Sequence, residues 1–192
     1  MRFQAAAGPV FAGMVAVCVA ACATRPEIRT DSDPSVDLAN YQTFGFFDKL
    51  ATDRGSYGTI LTERLKDSTR RELEQRGYQY VTSNPQLLVN FNVNVQDKQS
   101  VESTPAPGGY YAYRGGMYGM WAGYPQDIYT VDYKEGTLAI DLVDASKRQL
   151  VWQGVAQGRI SHDAMENPGP AIDQVVTEVF DRYPVPEAAP EH

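Results

Sequence analysis

The sequence predicts an α+β fold, a two-layer sandwich in which two helices cover one face of a mostly antiparallel sheet. Three observations carry this prediction. Residues 87–96 (LLVNFNVNVQ) alternate strictly, with Val89, Phe91, Val93 and Val95 on one side and Asn90, Asn92 and Asn94 on the other. Period two with one wet side describes an antiparallel strand covered on a single face. Residues 136–143 repeat the alternation through Leu138, Ile140 and Leu142, with Asp141 outward. A polar turn at 144–148 then leads into a returning strand at 149–160 that carries Leu150 and Trp152, which makes a hairpin. Finally, Ile172, Val175, Val176, Val179, Phe180 and Tyr183 recur at helical spacing, an apolar stripe that needs a surface to cover.

The remaining elements follow in chain order. Residues 1–21 hold one charged side chain, Arg2, followed by an apolar run at 5–19 broken by Gly8, Pro9 and Gly13. About fifteen apolar residues are too few to span a bilayer, and a basic start followed by such a run is the grammar of a secretory signal. The signal ends Val19-Ala20-Ala21-Cys22, which resembles a bacterial lipobox, where the cysteine thiol is acylated and the bond before it is cut. An ordinary small-residue cleavage site with an incidental Cys22 is the competing reading. Residues 23–192 contain no cysteine, so an exported domain would fold without a disulfide, and a cysteine kept at the mature N-terminus reads as an anchor. Resemblance to bacterial lipoproteins implies three acyl chains there, and two already give stable attachment. Ala23, where the sorting rule of such lipoproteins places Asp for inner-membrane retention, implies the periplasmic face of the outer membrane.

By composition, residues 23–35 read as a polar linker. Residues 41–47 (YQTFGFF) read as a strand, and 57–76 as a helix with Ile60, Leu61, Leu65 and Leu73 on its apolar side. Ser56 is placed to cap that helix and Gly77 to end it in the left-handed conformation. Its other side, with Glu63, Lys66, Asp67, Arg70, Arg71, Glu74 and Arg76, reads as a solvated face. The last helix spans 170–183, with Pro170 in its first turn and Pro184 beyond its end; residues 185–192 read as a disordered tail.

Taken together, these pieces resemble a family of bacterial lipoproteins, the domain of unknown function 4136 family. The matching residues are Tyr41-Gln42-Thr43-Phe44, Gly77-Tyr78, Pro85-Gln86-Leu87-Leu88-Val89, the run from Gly136 to Asp144, Leu150-Val151-Trp152-Gln153-Gly154, and Tyr183-Pro184. The resemblance implies a short first strand at 27–31 in place of linker. The domain then runs 27–184, and only residues 22–26 are left as the acylated cysteine and its tether. Four extended residues after Cys22 reach at most about 14 Å, which keeps the domain close to the headgroups. The resemblance implies no reaction and no catalytic residue.

Composition excludes some classes of function. With 17 basic and 24 acidic residues the net charge is −7; loss of Arg2 with the signal leaves 16 against 24, or −8. A general nucleic-acid binder needs a basic patch to displace counterions. Candidate chemistry is sparse. His162-Asp163 has no accompanying nucleophile motif, and Asp141 with Asp144 reads as a wet strand face plus a turn rather than a carboxylate pair. Neither a metal-ligand cluster nor a phosphate cradle is evident, and no cofactor is expected.

The unusual segment is 103–127, an oversized hairpin loop holding Tyr110, Tyr111, Tyr113, Met117, Tyr118, Met120, Trp121 and Tyr124 among six glycines. Loops of this length are commonly functional or disordered. One reading is a low-complexity insertion; the other is an adhesive loop for lipid, an envelope protein or cell-wall glycan, since Tyr and Trp give large amphipathic area at small entropic cost. The expectation is a membrane-anchored, non-enzymatic binding or scaffold module. A periplasmic hydrolase or small-ligand carrier is the alternative, recognisable by a cleft holding His162 beside an acid or by a deep apolar pocket.

Overall fold

A computed structural model describes residues 25–54, 58–105 and 126–188. The strands are β1 (Glu27–Ser32), β2 (Thr43–Phe46), β3 (Gln79–Tyr80), β4 (Leu87–Pro105), β5 (Gln126–Asp144) and β6 (Gln149–Arg159). The helices are α1 (Ile60–Gln75), α2 (His162–Glu166) and α3 (Pro168–Phe180). One sheet contains all six strands in the order β1-β6-β5-β4-β2-β3. Pairing is antiparallel from β1 through β4, whereas β2 runs parallel to both β4 and β3. The expected α+β sandwich is therefore present, with a mixed sheet and one additional short helix, α2.

The first strand that the family resemblance implied is real: Glu27–Ser32 pairs along β6, so the composition-based reading of 23–35 as linker is corrected there. Its side chains are polar because β1 is an edge strand whose one buried residue is Ile28. Helix α1 starts at Ile60, later than expected. Thr59 caps it, its hydroxyl accepting from the Thr62 N–H, while Ser56 and Tyr57 lie outside the described residues. The start explains Ile60, which is 78% exposed and not part of the apolar side. The expected end is found: Gly77 has φ +89°, the Gly77 N–H donates to Glu74 and the Tyr78 N–H to Leu73, a Schellman closure.

Arg76 corrects the picture of a wholly solvated charged face. It is buried, its guanidinium pairing with Glu72 at 2.8 Å and donating to the Phe180 carbonyl at 3.0 Å. These bonds belong to a polar ladder between α1 and α3. Ser68 and Arg71 donate to Asp173, Glu72 accepts from the Thr177 hydroxyl at 2.6 Å, and Arg76 holds the C-terminal end of α3. The apolar stripe of α3 behaves as expected, with Val176, Val179 and Phe180 fully buried and Tyr183 nearly so. Beyond Pro184, where a free tail was expected, Val185 packs against the core and the Ala188 N–H donates to Gln75.

The core is the meeting of this stripe with the inward residues of the sheet: Phe44, Leu87, Val89, Phe91, Ile140, Leu142 and Trp152. A register shift at Leu142/Val143 turns both Val151 and Trp152 inward and leaves Leu150 46% exposed. Helix α3 reaches the sheet at Gly154. A Cβ there would lie 2.3 Å from Val179 and 2.6 Å from the Trp152 ring, so only a hydrogen fits. Coverage ends one step beyond Phe91. Val93 is 38% and Val95 50% exposed, which corrects the expectation that all four alternating residues face the core. Strand β6 stays paired with β5 as far as Glu135, level with Gln96, and beyond that β4 and β5 continue as a two-stranded ribbon to Pro105 and Gln126.

Gly154→Ala is expected to lower stability by roughly 1–3 kcal/mol through overpacking, read as a fall in the urea midpoint. Gly136→Ala, which meets only the flexible end of Ile160, is expected to cost less; equal midpoints for the two variants would contradict the packing described.

Candidate functional site

Cys22 and the loop residues Tyr110, Tyr111, Tyr113, Met117, Tyr118, Met120, Trp121 and Tyr124 all lie outside the described residues. What the described residues give is the frame that carries them. The ribbon ends at Pro105 and Gln126, which are paired with each other, so the segment between them leaves and re-enters at adjacent points. The N-terminal chain joins the sheet at Glu27, in register with Gln157 of β6.

The candidate titratable residues are dispersed over the molecule. His162 is the first residue of α2, which Ser161 caps through its hydroxyl. The imidazole is 78% exposed and lies 3.6 Å from Glu166 one turn on. Asp141 sits on the sheet face opposite the helices, accepting from Asn92 at 3.1 Å and from Gln153 at 2.7 Å. That face continues through Gln157, which donates to Glu135, and through Arg159, stacked 3.9 Å from the Tyr133 ring centroid. It forms a polar surface rich in planar amides.

Asp144 is of another kind. It is buried at the mouth of the β5–β6 turn, where its Oδ1 accepts from the Ser146 hydroxyl and N–H and from the Lys147 N–H. Its Oδ2 accepts from the Tyr41 hydroxyl at 2.8 Å. The Ser146 and Lys147 hydrogen bonds, with that from Tyr41, hold its carboxyl well below the usual carboxylate range despite its burial. Its partner Tyr41 is pushed up to about 12 by burial and by the Asp144 carboxylate. Tyr78 and Tyr183 share a hydrogen bond of 2.9 Å, and burial raises both phenols. These tyrosines join the turn after β1, the α1 terminus and the end of α3. Sequence reading saw the Asp144 turn but not its tyrosine, because 103 residues separate the pair.

Two open grooves flank this corner. One, of about 220 Å³, lies between residues 32–39 and 184–186; the other, of about 340 Å³, lies between residues 31–34 and 150–153. His162 lines neither of them. Among the described residues, no three His, Cys, Asp or Glu side chains converge as metal ligands, and no helix is long and apolar enough to cross a membrane.

The family model for a domain of unknown function, DUF4136, matches residues 28–185. Among solved structures, a PDZ domain protein from Parabacteroides distasonis ATCC 8503 is similar at 12% identity and a TM-score of 0.53, over 84% of this chain and 36% of that one. The chain thus spans about a third of that protein's length. A DUF4136 family protein from Bacteroides thetaiotaomicron VPI-5482 is similar at 14% identity and a TM-score of 0.51, over 84% of this chain and 97% of that one. At these identities the likeness is one of fold. None of the curated proteins compared matches the chain.

The phenols set a pH limit. An unfolded tyrosine ionises near pH 10, whereas Tyr41, Tyr78 and Tyr183 hold their protons to higher pH when folded. Their stabilising contribution is full below about pH 10 and is lost as pH rises above it, because the unfolded state releases its protons first. Urea midpoints of the wild type are expected to fall above that pH, and those of Tyr41→Phe to fall less steeply. Parallel curves would mean that the Tyr41 hydroxyl is not held as described.

Proposed function

This chain belongs to the DUF4136 family, and from that premise we propose that it is a lipid-anchored module of the bacterial envelope that acts by binding. Cys22 is the acylation site, residues 1–21 are the signal removed on export, and the domain sits at the periplasmic face of the outer membrane. The observation that carries the reading is the start of β1. Ordered pairing begins at Glu27, five residues after Cys22, so the tether is short and the domain rides against the leaflet. A freely diffusing enzyme has no need of such a leash.

Binding rather than catalysis is favoured by the scatter of the reactive groups. His162 stands in solvent beside Glu166, Asp141 is shared between two amides, and Asp144 is saturated with donors. The surfaces suited to contact are the amide face around Asn92, Asp141 and Gln153 and the segment carried by the ribbon, with Tyr110, Tyr111, Tyr113, Met117, Tyr118, Met120, Trp121 and Tyr124. Polar amide faces and tyrosine- and tryptophan-rich segments serve recognition with little ordering cost. No cofactor takes part in this proposal.

Metabolic labelling with a clickable fatty acid tests the anchor. The wild type is expected to incorporate label and to sediment with envelopes, while Cys22→Ser loses both. A Cys22→Ser chain that is still processed and still sediments like wild type would overturn the anchor.

A further inference from the structure

The geometry points to a second membrane contact: the distal part of the β4–β5 ribbon rests on the same phospholipid leaflet that holds the acyl chains. This inference rests on acylation of Cys22, and it goes beyond that reading by assigning the ribbon an occupant. The argument is one of direction and length. Strand β1 runs antiparallel to β6, and β6 antiparallel to β5, so β1 and β5 point the same way. The end at which the chain enters β1 is therefore the end at which the ribbon projects. In register, Glu27 is level with Gln157, Thr137 and Asn94. From Asn94 to Pro105 β4 advances eleven residues, or about 36 Å at the usual rise. The tether from Cys22 to that same level, five residues, spans at most about 18 Å. Strands that project about twice the tether's reach from the same end are brought onto the surface to which the tether is fixed. The ribbon tip dips among the headgroups.

The side chains along the ribbon suit that placement. Near the domain its charges are matched across the strands, Asp97 with Lys134 at 2.7 Å and Lys98 with Glu135 at 3.3 Å. Farther out, Val101 is 72% and Tyr129 43% exposed. Tyr129, Val131 and Tyr133 fall on one face of the ribbon and Val101, opposite Thr130, on the other, so a tip that dips among the headgroups covers both, and tyrosine is a residue of the membrane–water boundary. An exposed valine and tyrosines on a bare ribbon are a liability in water; against lipid they bury apolar surface.

The acylated, signal-free chain offers no free thiol, because Cys18 leaves with the signal, the Cys22 sulfur is blocked and residues 23–192 contain no cysteine. Val101→Cys then provides a single site for an environment-sensitive fluorophore, and Lys147→Cys provides one in the turn at the far end of β5 and β6. Each acylated protein is reconstituted in phosphatidylethanolamine–phosphatidylglycerol vesicles with and without doxyl-labelled lipid. The expected result is a blue shift and doxyl-dependent loss of emission at position 101, with neither at 147. A protein that floats with the vesicles but is unshifted and unquenched at 101 overturns this inference and leaves the anchor standing. Disulfide-linked pairs of the unlabelled Val101→Cys protein, without quenching of the labelled one, would give the ribbon to a second copy of the chain and overturn it as well. A chain that fails to float and carries an unblocked Cys22 overturns both readings.

Discussion

Helix α3 meets the sheet at a point where no side chain fits. At Gly154 the helix comes close enough for Val179 to lie over the backbone of β6 while the Trp152 indole packs beside it, against Phe180 at 5.4 Å and Tyr183 at 5.0 Å between ring centroids. Such contacts are worth little singly and much together, because interiors are packed as densely as organic crystals. The seat fixes where the helical layer sits along the strands. The polar ladder of Ser68, Glu72 and Arg76 against Asp173, Thr177 and the Phe180 carbonyl then sets α1 beside α3. Since both helices are thereby held toward one end, the sheet is covered as far as Phe91 and Leu138, and the rest of β4 and β5 runs uncovered.

The same end-weighting sorts the polar groups by place. Asp144, Tyr41, Tyr78 and Tyr183 lie at the packed end, where their bonds join loops that no backbone ladder connects. Removing the Asp144 carboxylate would strand four donors, the Tyr41 hydroxyl, the Ser146 hydroxyl and N–H and the Lys147 N–H, which is why its perturbed acidity reads as architecture. The ribbon end, by contrast, holds exposed valines, tyrosine and paired surface charges. It is also the end at which the N-terminal chain arrives. The proposed contact thus falls at the end of the sheet opposite the packed one.

Much of this fold was legible in the sequence because period-two and helical stripes report burial directly. The strand at Leu87, the β5–β6 hairpin, the α3 stripe and the Gly77 terminus all appear where their patterns place them. What was not legible depends on partners remote in sequence. Alternation in 87–96 cannot say where cover stops, so Val93 and Val95 read the same as Val89 and Phe91. Arg76 resembles any helical surface charge until Glu72 and the Phe180 carbonyl enclose it. The polar strand β1 is hidden because an edge strand with one buried residue has no apolar rhythm; only the family resemblance found it. Parallel pairing of β2 with β4 leaves no mark in either segment. For the candidate site the balance is reversed: Cys22 and the aromatic segment were singled out by sequence alone and lie outside the described residues, and the described structure supplies only the strand ends that flank them.

Everything assigned to the ribbon depends on helical cover ending abruptly partway along β4 and β5. Amide hydrogen exchange of the mature chain, resolved by residue, tests this most directly, since buried paired amides open only with the whole domain while uncovered ones open locally. Phe91, Ile140 and Trp152 should exchange with the slow rate of global unfolding, and Gln99, Val101 and Val131 far faster. Equal protection along the full length of both strands would contradict it.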